Sequence, residues 1–148
     1  MDITKLPAKI LRKKLELVAE VTDEIRALIE QMRVDMVLAK GVGLAANQVG
    51  KDLQIFVIDK KLAEENQVPD AYINPEITEF AKEADEMEEG CLSIPQFWHM
   101  IKRSRKIKIK ALDERGNKVK FRARGFLARV LQHEYDHLQG MLIKDRVK

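Results

Sequence analysis

The chain has little of what would mark several common classes of protein. It carries a single cysteine, Cys91, in 148 residues, so it closes no internal disulfide, and this suits a reducing compartment. No apolar run approaches the ~18 residues of a membrane span. The opening Met-Asp-Ile-Thr-Lys-Leu-Pro lacks the apolar stretch of a secretory leader, so the cytoplasm is the expected location and no membrane partner is expected. Excess charge of one sign is also missing: 27 Lys and Arg against 24 Asp and Glu leave +3, which permits weak attraction to nucleic acid without arguing for it. Histidine is scarce as well. There are three, and two of them fall in one pentapeptide.

A length of 148 residues with 45% hydrophobic and 34% charged side chains describes one domain, residues 1–148, able to bury a real core. Residues 5–18 read as an extended arm followed by a short helix. Thr22 is placed to cap a helix with Asp23 and Glu24 in its first turn. Ile25, Leu28, Ile29, Met32, Met36 and Ala39 recur at helical spacing through Lys40, with the methionines as core packing and Gly41 placed to end the helix. Leu53–Asp59 reads as a buried strand. Tyr72–Phe80 reads as another, put at a sheet edge by Pro75, which cannot donate to a ladder. Five acids crowd positions 83–89 and predict a solvated loop. From Arg105 onward bases alternate with Ile107, Ile109 and Ala111, the period of a strand with one wet face; no aromatic is interleaved for base stacking, so this face reads as solvated and no specific nucleic-acid partner is expected. Residues 113–117 form a hairpin turn, and Val119–Ala123 return as the partner strand. A last helix starts after Gly125. Phe126, Leu127, Val130, Leu131, Leu138 and Met141 make it strongly apolar, which sets its histidines beside the core.

That helix carries His133-Glu134-Tyr135-Asp136-His137. Residues four apart on a helix lie one above the other, so two imidazoles point the same way and can grip one metal ion. Glu134, beside the first ligand, can hold and deprotonate a metal-bound water. Upstream stand two further segments of interest. Gly41-Val-Gly-Leu-Ala-Ala-Asn-Gln48 is a tight, small-residue stretch that lacks the spacing of either nucleotide-binding loop; its Gln48 amide donates hydrogen bonds without charge, which suits a developing oxyanion. Glu89-Gly-Cys-Leu-Ser-Ile-Pro95 holds the thiol. Alone, Cys91 reads as a small buried hydrophobe; beside a two-histidine helix it becomes a plausible third ligand, leaving a fourth position open as in catalytic sites. Gly90 would ease the chain around the ion, and the backbone N–H of Leu92 can face the same substrate oxygen as Gln48.

In their order and spacing the three segments resemble the peptide deformylases, and the likeness runs from about Leu6 to the C-terminus. The resemblance implies an α+β fold of small antiparallel sheets packed around the motif helix. It implies Cys91, His133 and His137 as metal ligands, Glu134 as catalytic acid/base, Gln48 and the Leu92 N–H as the formyl-oxygen site, and Gly43 as backbone alongside the bound peptide. The ion implied is Fe²⁺, replaceable by Zn²⁺, Ni²⁺ or Co²⁺. The reaction implied is removal of formyl from the formyl-methionine of nascent peptides. A methionine-sized pocket lined by Val42, Met87, Phe126 and Val130 is expected from their closeness to the motifs. The stretch Gln96-Phe97-Trp98 departs from the glycine and smaller residues of many relatives, and Trp98 is placed to reshape the edge holding the peptide beyond its first residue. The short tail after Gly140 lacks the long helix some members extend, so ribosome docking by that route is not expected. Competing readings are a metalloprotease, for which no downstream histidine or glutamate completes the ligand set, and a silent binding module, against which Glu134 and Gln48 both stand.

Overall fold

A computed structural model of the chain describes residues 2–6 and 8–147; Pro7, inside the expected arm, lies outside the described residues. A five-stranded antiparallel sheet runs in the order β1-β2-β3-β6-β7, made of β1 (Gly43–Ala45), β2 (Ile55–Ile58), β3 (Ala71–Phe80), β6 (Lys106–Leu112) and β7 (Lys118–Arg124). A separate two-stranded ribbon pairs β4 (Ala84–Cys91) with β5 (Ile94–Ser104). Helix α1 (Asp23–Leu38) and helix α3 (Gly125–Leu138) lie on opposite faces of the larger sheet, with a short α2 (Lys60–Glu65) between β2 and β3. This is the expected α+β arrangement.

Strand alternation decides which helix meets which side chains. Ile55, Val57 and Ile73 point to Ile29, Met32 and Met36 of α1, while Phe56, Tyr72, Ile107 and Ile109 point to Leu127, Ala128 and Leu131 of α3. Both cores follow from period two in the strands and period 3.6 in the helices. Thr22 caps α1 by accepting the Ile25 N–H at 3.2 Å. The helix stops through Gly41, whose N–H reaches back to the Met36 carbonyl at 3.0 Å, yet the left-handed residue of that stop is Lys40, with φ 60.

Three expectations need correction. Strand β3 is central, not an edge: Asn74 turns to φ 51 and the β3–β6 register shifts between Ile73 and Glu76, so the missing Pro75 donor falls in a bulge. The acidic run is not a loop but strand β4. Two of its acids stand opposite bases of β5, Asp85 opposite Arg103 and Glu86 opposite Lys102, and Asp85 accepts from Arg105 at 2.8 Å. Gly90 serves Trp98 and not the ligand loop, since a Cβ there would lie 2.7 Å from the indole ring.

Candidate metal centre

Helix α3 brings its two histidines together as the four-residue spacing requires. The rings meet edge to face at 63° with centroids 5.0 Å apart, and their Nε2 atoms are 3.2 Å apart. Cys91 closes β4 just before a two-residue turn, and its Sγ stands 3.2 Å from His137 Nε2. The three donor atoms all lie within 4.8 Å of one another. Tetrahedral bonds of ~2.0–2.1 Å to nitrogen and ~2.3 Å to sulfur put such donors about 3.3–3.6 Å apart, so the residues fit a small divalent cation. A thiolate with two imidazoles suits zinc or iron and does not suit calcium or magnesium.

The protonation pattern agrees with a cation site. Burial, then the charge of His133, holds His137 well below the ordinary imidazole value, so it is a neutral ligand in waiting. His133 is the reverse: burial opposes its charge, but hydrogen bonds to Cys91 and Glu89 outweigh burial and raise it to about 10.

An ionic scaffold holds that ring. Glu89 accepts from His133 Nδ1 at 2.9 Å, from Arg103 Nε and Nη2 at 2.9 and 3.0 Å, and also from Arg129. Arg103 donates onward to Asp136 at 2.6 Å, and Arg129 to the Ile101 carbonyl at 3.0 Å. Burial works against the Glu89 carboxylate, but the bonds from His133 and Arg103 hold it down to about 2. A ligating imidazole whose second nitrogen is bonded to a carboxylate is fixed in tautomer and direction.

Glu134 and Gln48 flank the donors. Glu134 is buried, and its Oε1 has no hydrogen-bond partner among the described residues; burial raises its carboxyl to about 7. Gly43 lies directly over it, where a Cβ would come within 2.5 Å of Glu134 Oε2. Gln48 accepts the Ala45 N–H at 2.9 Å through Oε1, and this turns its amino group inward to Ser93 Oγ at 3.1 Å and towards Cys91 Sγ at 3.6 Å. Ser93 donates to the Thr4 carbonyl at 2.6 Å, and Asn47 donates to the His137 carbonyl at 2.8 Å. The N-terminal arm and the end of α3 thus clamp the Gln48 segment.

Beside these groups opens a cavity of about 940 Å³. Val42, Gly43, Met87, Leu92, Phe126 and Val130 all line it. Val130 is buried, whereas Val42, Met87 and Phe126 remain 49%, 43% and 47% exposed at its rim. Phe126, read from the sequence as part of an apolar core face, therefore faces the cavity. Trp98 also borders it, 64% exposed.

Reasoning from sequence missed Ser93, Arg103, Arg129, Asp136 and the burial of Glu89. One signal was present: Arg129, His133 and Asp136 are four and then three residues apart, one polar stripe on an otherwise apolar helix. Arg103 stood two residues after Ile101, hence on the same inward face of β5.

Comparison with known proteins gives a consistent result. The family model described as polypeptide deformylase matches residues 1–148. Peptide deformylase 1 of Clostridium perfringens is 49% identical over 137 residues, covering 93% of this chain and 90% of its own. The crystal structure of peptide deformylase from Thermotoga maritima superposes with a TM-score of 0.91 at 42% identity, over 99% of this chain and 96% of that one. A deformylase of Synechococcus elongatus, solved in complex with actinonin, gives 0.92 at 40% identity, over 100% of this chain and 79% of that one.

Proposed function

Because the chain belongs to the polypeptide deformylase family, we propose that it hydrolyses the N-formyl group from the formyl-methionine of newly made proteins, with one divalent ion held by Cys91, His133 and His137. The observation that carries this reading is the convergence of those three donors beside a buried, unpartnered Glu134 oxygen. Fe²⁺ is the ion we favour, with Zn²⁺, Ni²⁺ or Co²⁺ able to replace it. When bound, it supplies Lewis acidity at the formyl oxygen and brings the pKa of water from 15.7 towards ~7.

The chain's own groups then divide the work. Glu134, lifted by burial to about 7, accepts a proton from the attacking water through its free Oε1 and returns it to the departing amine. The second amino proton of Gln48 is only loosely engaged by sulfur at 3.6 Å, so it turns to the formyl oxygen as that oxygen gains charge, joined by the Leu92 N–H. Gly43 lets the substrate backbone pass close above Glu134. The methionine side chain enters between Val42, Met87, Phe126 and Val130; reciprocal size changes at Val42 or Val130 that left the preference for methionine untouched would remove that assignment. No described helix is long and apolar enough to cross a membrane, and the cytoplasm is the compartment we assign.

Anaerobic purification with metal analysis, followed by assay on formyl-Met-Ala-Ser and its acetyl analogue, tests the reading. The formyl peptide turns over, the acetyl peptide hardly does, and Glu134→Ala retains metal while losing turnover. Equal rates on both substrates would instead mark a broad amidohydrolase.

A further inference from the structure

Helix α1 covers the β1–β3 half of its face of the large sheet and meets β6 at its end, Leu112. On the other half, β6 and β7 present Lys106, Lys108, Lys110, Lys118, Lys120, Arg122 and Arg124 on one side, while Ile107, Ile109 and Ala123 point to α3 on the other. The register sets like charge against like: Lys106 opposite Arg124, Lys108 opposite Arg122, Lys110 opposite Lys120. Among the described residues acids answer only from β3, where Glu76 lies 3.4 Å from Lys110 and Glu79 lies 4.0 Å from Arg122. Among the described residues the remaining five cations form no ion pair. The patch holds five more cations than acids, whereas the whole chain nets +3. Like charges directly opposed across strands are destabilising, and a rule broken three times in succession marks a surface made for something other than stability.

We propose that this face binds the phosphate backbone of duplex RNA without reading its sequence. The charge calls for a polyanion, and each strand is ~20 Å long, enough to follow several phosphates. Of the eight outward positions only Leu112 is apolar, and it packs against the α1 core, so nothing there would enter a bilayer, as interfacial membrane binding requires. No aromatic offers a stacking surface for single-stranded bases. Strands β6 and β7 continue a five-stranded sheet, a face too broad to enter the ~12 Å major groove of B-form DNA, whereas a flat face of long cationic side chains can lie across the wide, shallow minor groove of A-form RNA and reach the phosphates on either side. The cavity lies on the α3 side, so occupation of this face leaves it open, and the proposal stands apart from the chemistry of the metal centre.

Fluorescence anisotropy with a labelled RNA duplex of about 20 base pairs and arbitrary sequence tests this, with the same sequence as DNA and vesicles of phosphatidylserine and phosphatidylcholine as parallel probes. Five neutralised phosphates give a slope of about −4.5 in log K against log salt, a loss of a few hundred-fold between ~50 and ~200 mM. The combined Lys118→Glu, Lys120→Glu, Arg124→Glu variant, which changes three of the unpaired cations, loses RNA binding while its melting temperature stays equal or rises, because the Lys110–Lys120 and Lys106–Arg124 oppositions are relieved. Should that variant fold poorly, the glutamine versions at the same three positions lower the salt slope by about 3. The proposal is overturned by wild-type protein that does not bind the RNA at low salt, by variants that bind as well as wild type, by tighter binding to the DNA duplex, or by binding to vesicles in place of RNA.

Discussion

Replacing Glu89 by glutamine isolates the ionic scaffold behind His133. The carboxylate receives bonds from Arg103, Arg129 and His133 while almost wholly out of water. Its drop from an ordinary 4.5 to about 2 corresponds to about 3 kcal/mol of preference for the charged form in the folded state. Removing one member of a buried ionic cluster typically costs ~3–5 kcal/mol because the partner charges stay buried. The two routes agree on about 3 kcal/mol, or roughly 10 °C in melting temperature for a chain of this size. A depressed carboxyl stabilises above its unfolded value and loses that contribution as pH falls towards its folded one. Urea denaturation of metal-free wild type and Glu89→Gln at pH 7 should therefore differ by about 3 kcal/mol, and the difference should shrink by roughly 1 kcal/mol by pH ~3.5. A gap under ~1 kcal/mol at pH 7, or one that stays constant across that range, would refute the assignment.

Other outcomes follow from the same geometry. Gln48→Ala should lower kcat on a formyl peptide by on the order of 100- to 1,000-fold with metal content unchanged, and steady-state kinetics with metal analysis checks it. Gly43→Ala sets a methyl group 2.5 Å from Glu134 Oε2; displacing that carboxylate by about an ångström should lower kcat by on the order of 100-fold, and a variant with wild-type kcat would contradict the close approach. Since His133 holds its proton up to about 10 in the metal-free protein, metal uptake at pH 7 must displace it, and affinity weakens as pH falls below that value. Calorimetric titration with Zn²⁺ in buffers of different ionisation enthalpy should report release of about one proton or more per ion; no release would contradict a charged His133.

Much of the fold is written in local pattern. Thr22 before two acids, apolar residues at helical spacing along α1, and the Ile107, Ile109, Ala111 alternation each describe an element without reference to the rest of the chain. The two histidines of α3 are equally legible, since four residues is a property of any helix. What escaped depends on pairings between distant segments. Pro75 reads as an edge signal until the bulge at Asn74 is seen. The acids at 83–89 read as a solvated loop until β5 is set beside them, because acids fall on both sides of this strand and leave it no apolar alternation of its own. Glu89 and Arg103 look like members of two charge runs, and only the fold makes them one buried cluster with Arg129 and Asp136. The basic face of β6 and β7 is likewise half visible in sequence: each strand alternates, but opposition of like charges is set by register.

X-ray absorption at the edge of the bound metal tests the central claim most directly. One sulfur at ~2.3 Å and two imidazole nitrogens at ~2.0–2.1 Å around a single ion, with the sulfur contribution lost in Cys91→Ser, is the result expected from Cys91, His133 and His137 converging as they do. A coordination shell with no sulfur, or one unchanged by that substitution, would contradict it.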